Sequence, residues 1–295
     1  MLRNYRRRLA LSLAVLLSLS TAALPATAAA ATANDENYSV RRVEYPTVPV
    51  YHGSARMPDT GRLVDGTTYV PLRGFFAYFM KDATLTYDSK TRTATLNGAG
   101  LTLSARDGSN ILYANSRAMY SDMPIRIFED GKMYAPLRSL AWALSLDVTW
   151  QNATRSVLLE GKATPLLDGE QFYNAEDLYW LSRIISAESR GEPFIGQVAV
   201  GNVVLNRRAH KAYPSTVKDV VFDRQGGVVQ FSPVADGSLW QTPYAASVTA
   251  AKVCLEGYTV SDKILFFYAP SMVSSTWIER NRPYAFTIAS HRFFY

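Results

Sequence analysis

Apolar residues recur along this chain in two rhythms. Between about residue 48 and residue 162 they alternate with polar ones over short runs, as in Thr84-Leu85-Thr86-Tyr87 and Thr93-Ala94-Thr95-Leu96. That is the period-two signature of half-buried strands. Two segments interrupt it with helical spacing at i, i+3, i+4 and i+7: Leu72, Phe75, Phe76, Phe79, and Leu137, Leu140, Ala141, Leu144. From about residue 175 the helical rhythm takes over. AEDLYWLSRIISAESR carries an apolar stripe through Leu178, Leu181 and Ile185, with Asn174 as N-cap, Glu176 and Asp177 in the first turn, and Gly191 and Pro193 as stops. Gln197–Arg208 predicts a second helix, with Val200, Val203 and Val204 inward and Gly201 as an interruption. Thr242-Pro243 opens a third helix and Gly257 closes it. Val228–Ser232 reads as a strand or hairpin, and Ile264–Tyr268, Trp277 and Tyr284–Ile288 as strands and loops. The fold class is α+β.

The first half repeats itself. VDGTTYVPLRGFFAYFMKDATLTYDSKTRTATLNG (64–98) aligns with EDGKMYAPLRSLAWALSLDVTWQNATRSVLLEG (129–161). The offset is 65 residues through Tyr69/Tyr134, Pro71/Pro136 and Arg73/Arg138, closing to 63 at Tyr87/Trp150. Two such copies indicate a duplicated ββαββ unit over 48–162, each with an Asp-Gly turn, a strand ending at proline, a helix and a closing hairpin. Arg73 and Arg138 read as structural arginines that bond nearby carbonyls. This arrangement resembles the copper amine oxidase N-terminal-like domain of secreted bacterial proteins. The resemblance implies neither copper nor oxidase activity, and we read the domain as a wall-attachment or spacing module that folds alone.

Charge and termini narrow the function. The net charge is +6, and four of the positive charges, Arg3, Arg6, Arg7 and Arg8, lie in the first eight residues, so the rest carries only +2. That small balance supports no nucleic-acid footprint. After the arginines come a sixteen-residue apolar run (9–24) and Ala26-Thr27-Ala28. This is the layout of a signal peptide over 1–28, and the run is short of the ~20 residues that span a bilayer. The mature protein is then expected outside the cytoplasmic membrane, without a stable span, with a spacer at 29–47 and a second linker at 163–174. One cysteine (Cys254) and three histidines (His52, His210, His291) offer no disulfide and no clustered metal site, so we expect no cofactor and no metal.

The next member of the stripe Leu178, Leu181, Ile185 is Glu188. A carboxylate on the buried stripe of a helix, in its last turn, needs a reason. Burial and the negative end of the helix dipole both disfavour its ionised form and raise its pKa, as the acid that protonates a departing glycosidic oxygen requires. The alternative is a structural Glu188 paired with Arg190, Arg207 or Arg208, or emerging at the helix end. ISAESRGEPFIGQVAVGNVVLNR (185–207), QFSPVADG (230–237) and the terminal HRFFY (291–295) resemble the SleB/CwlJ family of cell wall hydrolases over 176–295. The resemblance implies a lysozyme-like α+β fold and makes Glu188, in its AExRGE motif, the catalytic acid.

Gln230, Phe231 and Ser232 are candidate sugar contacts beside a groove, Asn206 a hydrogen-bonding candidate, and Tyr268 and Trp277 candidate stacking rings. His291 and Cys254 read as structural, and Glu192, past Gly191, as solvent-facing. Asp219, Asp223 and Asp236 are the available second carboxylates. A two-carboxylate hydrolase needs one of them about 5–9.5 Å from Glu188. With none there, a single acid/base still cleaves by letting a group of the substrate attack, which is lytic transglycosylase chemistry. The resemblance implies this lytic transglycosylase reaction on the MurNAc-GlcNAc glycan strand of peptidoglycan, in the vegetative wall or the spore cortex. An amidase or a non-catalytic wall-binding protein are the alternatives, and no protein partner is indicated.

Overall fold

The computed structural model describes residues 44–272 and 277–295. The apolar leader and most of the 29–47 spacer lie outside the described residues. Each repeat copy forms the ββαββ unit that its pattern predicts. In the first, Gly61–Val64 and Thr67–Pro71 make a hairpin, helix α1 (Leu72–Phe79) follows, and Thr84–Asp88 and Thr93–Gly98 close the unit. In the second, Arg126–Ile127 and Met133–Pro136 precede α2 (Leu137–Ala143), and Asp147–Gln151 and Ser156–Glu160 follow. Asp65 and Gly66 at the first turn both have positive φ, 47° and 76°, as a two-residue hairpin turn requires.

The copies meet strand to strand. Thr67–Pro71 runs antiparallel to Met133–Pro136, with Tyr69 opposite Pro136, Val70 opposite Ala135 and Pro71 opposite Tyr134. Because tyrosine and proline occupy equivalent places in the repeat, this register relates the copies by a local two-fold centred on Val70 and Ala135. The prolines cap the two helices, and Leu72, Phe75 and Phe76 pack with Leu137, Leu140, Ala141 and Leu144 in one core. Arg73 and Arg138 differ from expectation. Both are exposed, and among the described residues neither reaches a carbonyl, because the second position of each helix faces away from the sheet.

The segment between the copies adds three antiparallel strands, Leu101–Arg106, Ile111–Ala114 and Arg117–Tyr120, to the first copy's closing hairpin. The outer part of this extension lies against the second half of the chain. Arg117 donates from Nε and Nη2 to Glu256 Oε1 (2.8 Å) and Oε2 (2.6 Å), and Tyr173 Oη donates to the same Oε1 (2.6 Å). The guanidinium stands 3.3 Å from the centroid of Phe172. Burial, and then the Glu256 charge, raise the pKa of the Tyr173 hydroxyl, which keeps it a donor. Ala118 is buried in the second core, Lys252 Nζ donates to Ser116 O (2.8 Å), and Tyr258 Oη donates to Asp122 Oδ1 (2.6 Å). The expected linker at 163–174 is a strap: Asn115 Nδ2 donates to Leu166 O, and Gly169 N, at the start of the short helix α3 (Gly169–Phe172), donates to Asn115 O. Residues 45–295 form one compact unit.

The second half is helical. It contains α4 (Ala175–Ser189), α5 (Phe194–Ala209), α6 (Val217–Val221), α7 (Ser232–Asp236), α8 (Ala245–Leu255) and α9 (Trp277–Asn281), with a sheet in the order Phe266–Tyr268, His291–Phe294, Tyr284–Ile288. Asn174 caps α4 by accepting from Asp177 N (3.0 Å). The helix stops at Ser189, and Pro193 serves as the N-cap of α5 rather than only as a stop. α8 begins after Tyr244, later than Thr242-Pro243 suggests, because Tyr244 N is held by Ser186 Oγ (3.1 Å). Val228–Ser232 divides into a small hairpin, Arg224–Gln225 with Val228–Val229, and the first turn of α7.

α5 runs unbroken through Gly201. A Cβ there would stand 2.7 Å from Cys254 Sγ on α8 and 2.8 Å from Ile185 Cδ1 on α4, so the glycine permits the close approach of three helices. Gly201→Ala is expected to cost about 1–3 kcal/mol through overpacking, read as a lower urea midpoint. Arg117→Met in the full chain removes one partner of a buried pair whose side chains are 6% and 1% exposed, and should cost about 3–5 kcal/mol. The same change at exposed Arg138 should stay within about 0.5 kcal/mol. Equal urea midpoints for the two arginine variants would show that the domain contact contributes nothing.

Candidate active site

Glu188 sits in the last turn of α4, where the apolar stripe meets the surface. Its neighbours on the same helix, Ile184, Ile185 and Ser189, are buried, and Ser189 Oγ bonds back to Ile185 O (2.7 Å). Among the described residues no cation pairs with Glu188. Arg190 donates to Gln241 Oε1 (2.9 Å), Arg208 bridges to Asp177 (2.8 Å), and Arg207 donates from Nε to Leu265 O (2.7 Å). Arg190 and Arg208 are thus engaged elsewhere, while the Arg207 charge still reaches Glu188 without forming a salt bridge. Burial, reinforced by the negative charge of Asp236 and opposed by the positive charge of Arg207, pushes the Glu188 carboxyl up to about 7.

Asp236 is the carboxylate that the fold brings to bear on Glu188. It ends α7, is exposed, and accepts from Ser238 N (2.8 Å) across a turn at Gly237, whose φ is 81°. Those bonds from Ser238 hold its pKa below the usual carboxylate range. The site therefore joins a carboxyl that keeps its proton near neutrality to a carboxylate that does not. Thr216 caps α6 by accepting from Asp219 N and donates its hydroxyl to Asp219 Oδ2, and Asp223 accepts from Gln225 Nε2 (3.3 Å), so both carboxylates have local structural partners.

The other expected contacts divide. Gln230 is half-buried and Trp277 is 52% exposed, and both line a cavity of about 290 Å³ that Arg207 also lines. Ser232 is exposed in the first turn of α7. Three candidates are corrected. Phe231, the N-cap residue of α7, is 2% exposed and fills the second core. Asn206 donates to Ser261 O (3.0 Å) and Ile264 O (2.9 Å), fastening the loop before the final sheet. Tyr268 is buried against Phe294, with its hydroxyl on Glu279. Glu192 is not solvent-facing either. Its side chain is 11% exposed, accepts from Ser290 N and Oγ, and lies 3.8 Å from His291, whose pKa is lowered by burial. The Cys254 thiol is buried and its pKa raised by that burial, so it is inert packing.

Residues 191–294 match the Cell Wall Hydrolase family, and residues 53–159 match the copper amine oxidase N-terminal domain. The chain thus carries a cell wall hydrolase domain at its C-terminal end, preceded by a copper amine oxidase N-terminal domain. The first match begins after Glu188, so α4 lies ahead of it. Among curated relatives, the spore cortex-lytic enzyme of Bacillus cereus is 33% identical over 134 residues, 45% of this chain and 49% of the relative. That of Oceanobacillus iheyensis is 34% identical over 130 residues, 44% of this chain and 45% of the relative. The chain spans about half the length of the curated relatives it matches. Among solved structures, the catalytic domain of the germination-specific lytic transglycosylase SleB from Bacillus anthracis is 32% identical, covering 44% of this chain and all of that one, with a TM-score of 0.38.

The raised Glu188 carboxyl has a sign that can be tested in stability. Unfolded, Glu188 releases its proton near 4.5; folded, near 7. Between those values the folded state holds the extra proton, so its contribution is full below 4.5 and is lost as pH rises through 7, on the order of 3 kcal/mol. Glu188→Gln removes that slope. Urea unfolding should find it more stable than wild type at about pH 8 and no more stable at about pH 4.

Proposed function

We propose that this protein cleaves the glycan strand of peptidoglycan as a lytic transglycosylase, with Glu188 as its acid and then its base. The observation that carries this reading is a carboxyl at about 7, half-buried at the end of α4 and, among the described residues, paired with no cation. Protonated Glu188 donates to the glycosidic oxygen as the bond from C1 of the muramic acid to that oxygen breaks. The negative charge of Asp236 favours the positive charge that develops on the ring. Glu188, now a carboxylate, takes the proton of the same sugar's C6 hydroxyl as that oxygen bonds C1, which closes a 1,6-anhydro ring and restores the acid. No water is consumed.

Hydrolysis is the reading to weigh against this one, because Asp236 is a carboxylate within electrostatic reach of Glu188. A water held there would give a reducing end instead. The amidase and non-catalytic readings have no such support. The relatives named as spore cortex-lytic enzymes support a role on the spore cortex during germination. The N-terminal arginine and apolar run support export with removal of residues 1–28, placing the mature protein outside the cytoplasmic membrane. The repeat domain, docked through Arg117 and Glu256, serves in this reading as a fixed attachment or spacing module.

Purified wild type should release soluble muropeptides lighter by one water than the hydrolysed equivalents. Glu188→Gln should lose about 10⁴-fold or more, the upper end for general-acid catalysis. Glu176→Gln, on an exposed pair with Lys218, is the control and should retain its activity. Near-normal cleavage by the Glu188 variant would overturn the mechanism. Reducing ends on the products would keep Glu188 as the acid and make the enzyme a hydrolase.

A further inference from the structure

The cavity is lined by an arginine whose guanidinium is only partly bonded. Arg207 is 5% exposed, its guanidinium stands over the rings of Tyr213, Phe231 and Phe266 at 5.3, 5.0 and 5.5 Å, and its Nε is spent on Leu265 O. Its Nη1 is buried and has no hydrogen-bond partner. No carboxylate among the described residues pairs with it. Burial lowers the Arg207 pKa and the nearby Tyr213, Asp223 and Glu188 offset this only in part, while the unbonded nitrogen carries the cost of an unmade hydrogen bond. Arg282 lines the same cavity from the exposed side, with its guanidinium 4.5 Å from the Phe266 centroid and 5.5 Å from that of Trp277. Two guanidiniums over one aromatic ring, with the Gln230 amide beside them, select an anion with planar acceptor geometry.

We propose that Arg207 and Arg282 form a carboxylate-binding subsite for the substituent that muramic acid carries on its lactyl ether. This rests on the glycan-cleaving reading above and names the part of the strand that the enzyme grips. The cavity, about 290 Å³, has room for a charged side group of the strand. The Arg207 charge also reaches Glu188, so a carboxylate seated on the subsite would weaken the one cation that opposes protonation of the acid. The carboxylate has two sources, the lactyl group itself where it is unsubstituted, or the peptide stem attached to it.

The test uses the full chain, wild type and Arg282→Gln, an exposed position whose loss leaves the core intact. Three substrates are compared: strands with intact stems, strands stripped of stems so that lactyl carboxylates are free, and stripped strands whose lactyl carboxylates are converted to neutral amides. Wild type should show a KM about ten- to a hundredfold higher on the amidated strands than on the best charged ones, the value of charge-assisted hydrogen bonds. Arg282→Gln should have a raised KM on charged strands and little difference between charged and amidated ones, with Arg282→Lys intermediate. A KM that rises on stem removal alone assigns the stem carboxylate; one that rises only on amidation assigns the lactyl group. Equal KM on charged and neutral strands for wild type overturns the subsite while leaving the glycan-cleaving reading intact. So does an equal loss by Arg282→Gln on both. Failure of wild type to cut any of the three strands overturns the reading and the subsite together.

Discussion

A carboxyl half-buried at the end of an apolar stripe, with no cation paired to it among the described residues, is the constraint on which this site depends. Burying an ionised carboxylate without compensation costs several kcal/mol, so the group keeps its proton instead. Three features maintain that condition. Gly201 lets α4, α5 and α8 approach closely enough to bury Ile185 beside Glu188, and Arg190 and Arg208 are drawn off to Gln241 and Asp177. Asp236, held ionised by Ser238, adds a negative charge that reinforces the effect. Arg207 alone opposes it, with its Nε spent on Leu265 O and its side chain lining the neighbouring cavity.

The two halves of the chain are joined by polar contacts at one place and by packing around it. The Arg117–Glu256 pair is bidentate, flanked by Phe172 and Tyr173, and deep enough that breaking it leaves a charge in the interior. A pair of this kind contributes register more surely than net stability. It fixes the repeat domain to the C-terminal end of α8, whose other face packs on α4 and α5. The segment that reads as a linker by composition is held by backbone hydrogen bonds on both sides.

Much of this was legible in the sequence because it follows from local periodicity. The repeat, its two helices with their buried residues, the N-cap at Asn174 and the anomaly of Glu188 all show in spacing alone. What was not legible arises from contacts distant in sequence. Nothing around Arg117 distinguishes it from the exposed Arg138, because its partner is 139 residues away. The alternating run Leu101–Arg106 carries a strand signal, but it lies between the two copies, so the repeat does not say which sheet it joins. Phe231, Asn206 and Tyr268 are residue types that suit a sugar groove, and only the direction of each side chain assigns them to the core, a loop and the final sheet. Glu192 looked exposed past a glycine, but the C-terminal strand returns to cover it.

The central claim is that Glu188 retains its proton near neutral pH in the folded, ligand-free protein. Carbon-13 NMR of the side-chain carboxyl groups, assigned by comparison with Glu188→Gln and followed across pH, reads this directly. The account predicts that the resonance lost in the variant titrates at about 7. A midpoint near 4.5, the ordinary value for a glutamate, would show that the carboxyl is ionised at neutral pH and contradict the account.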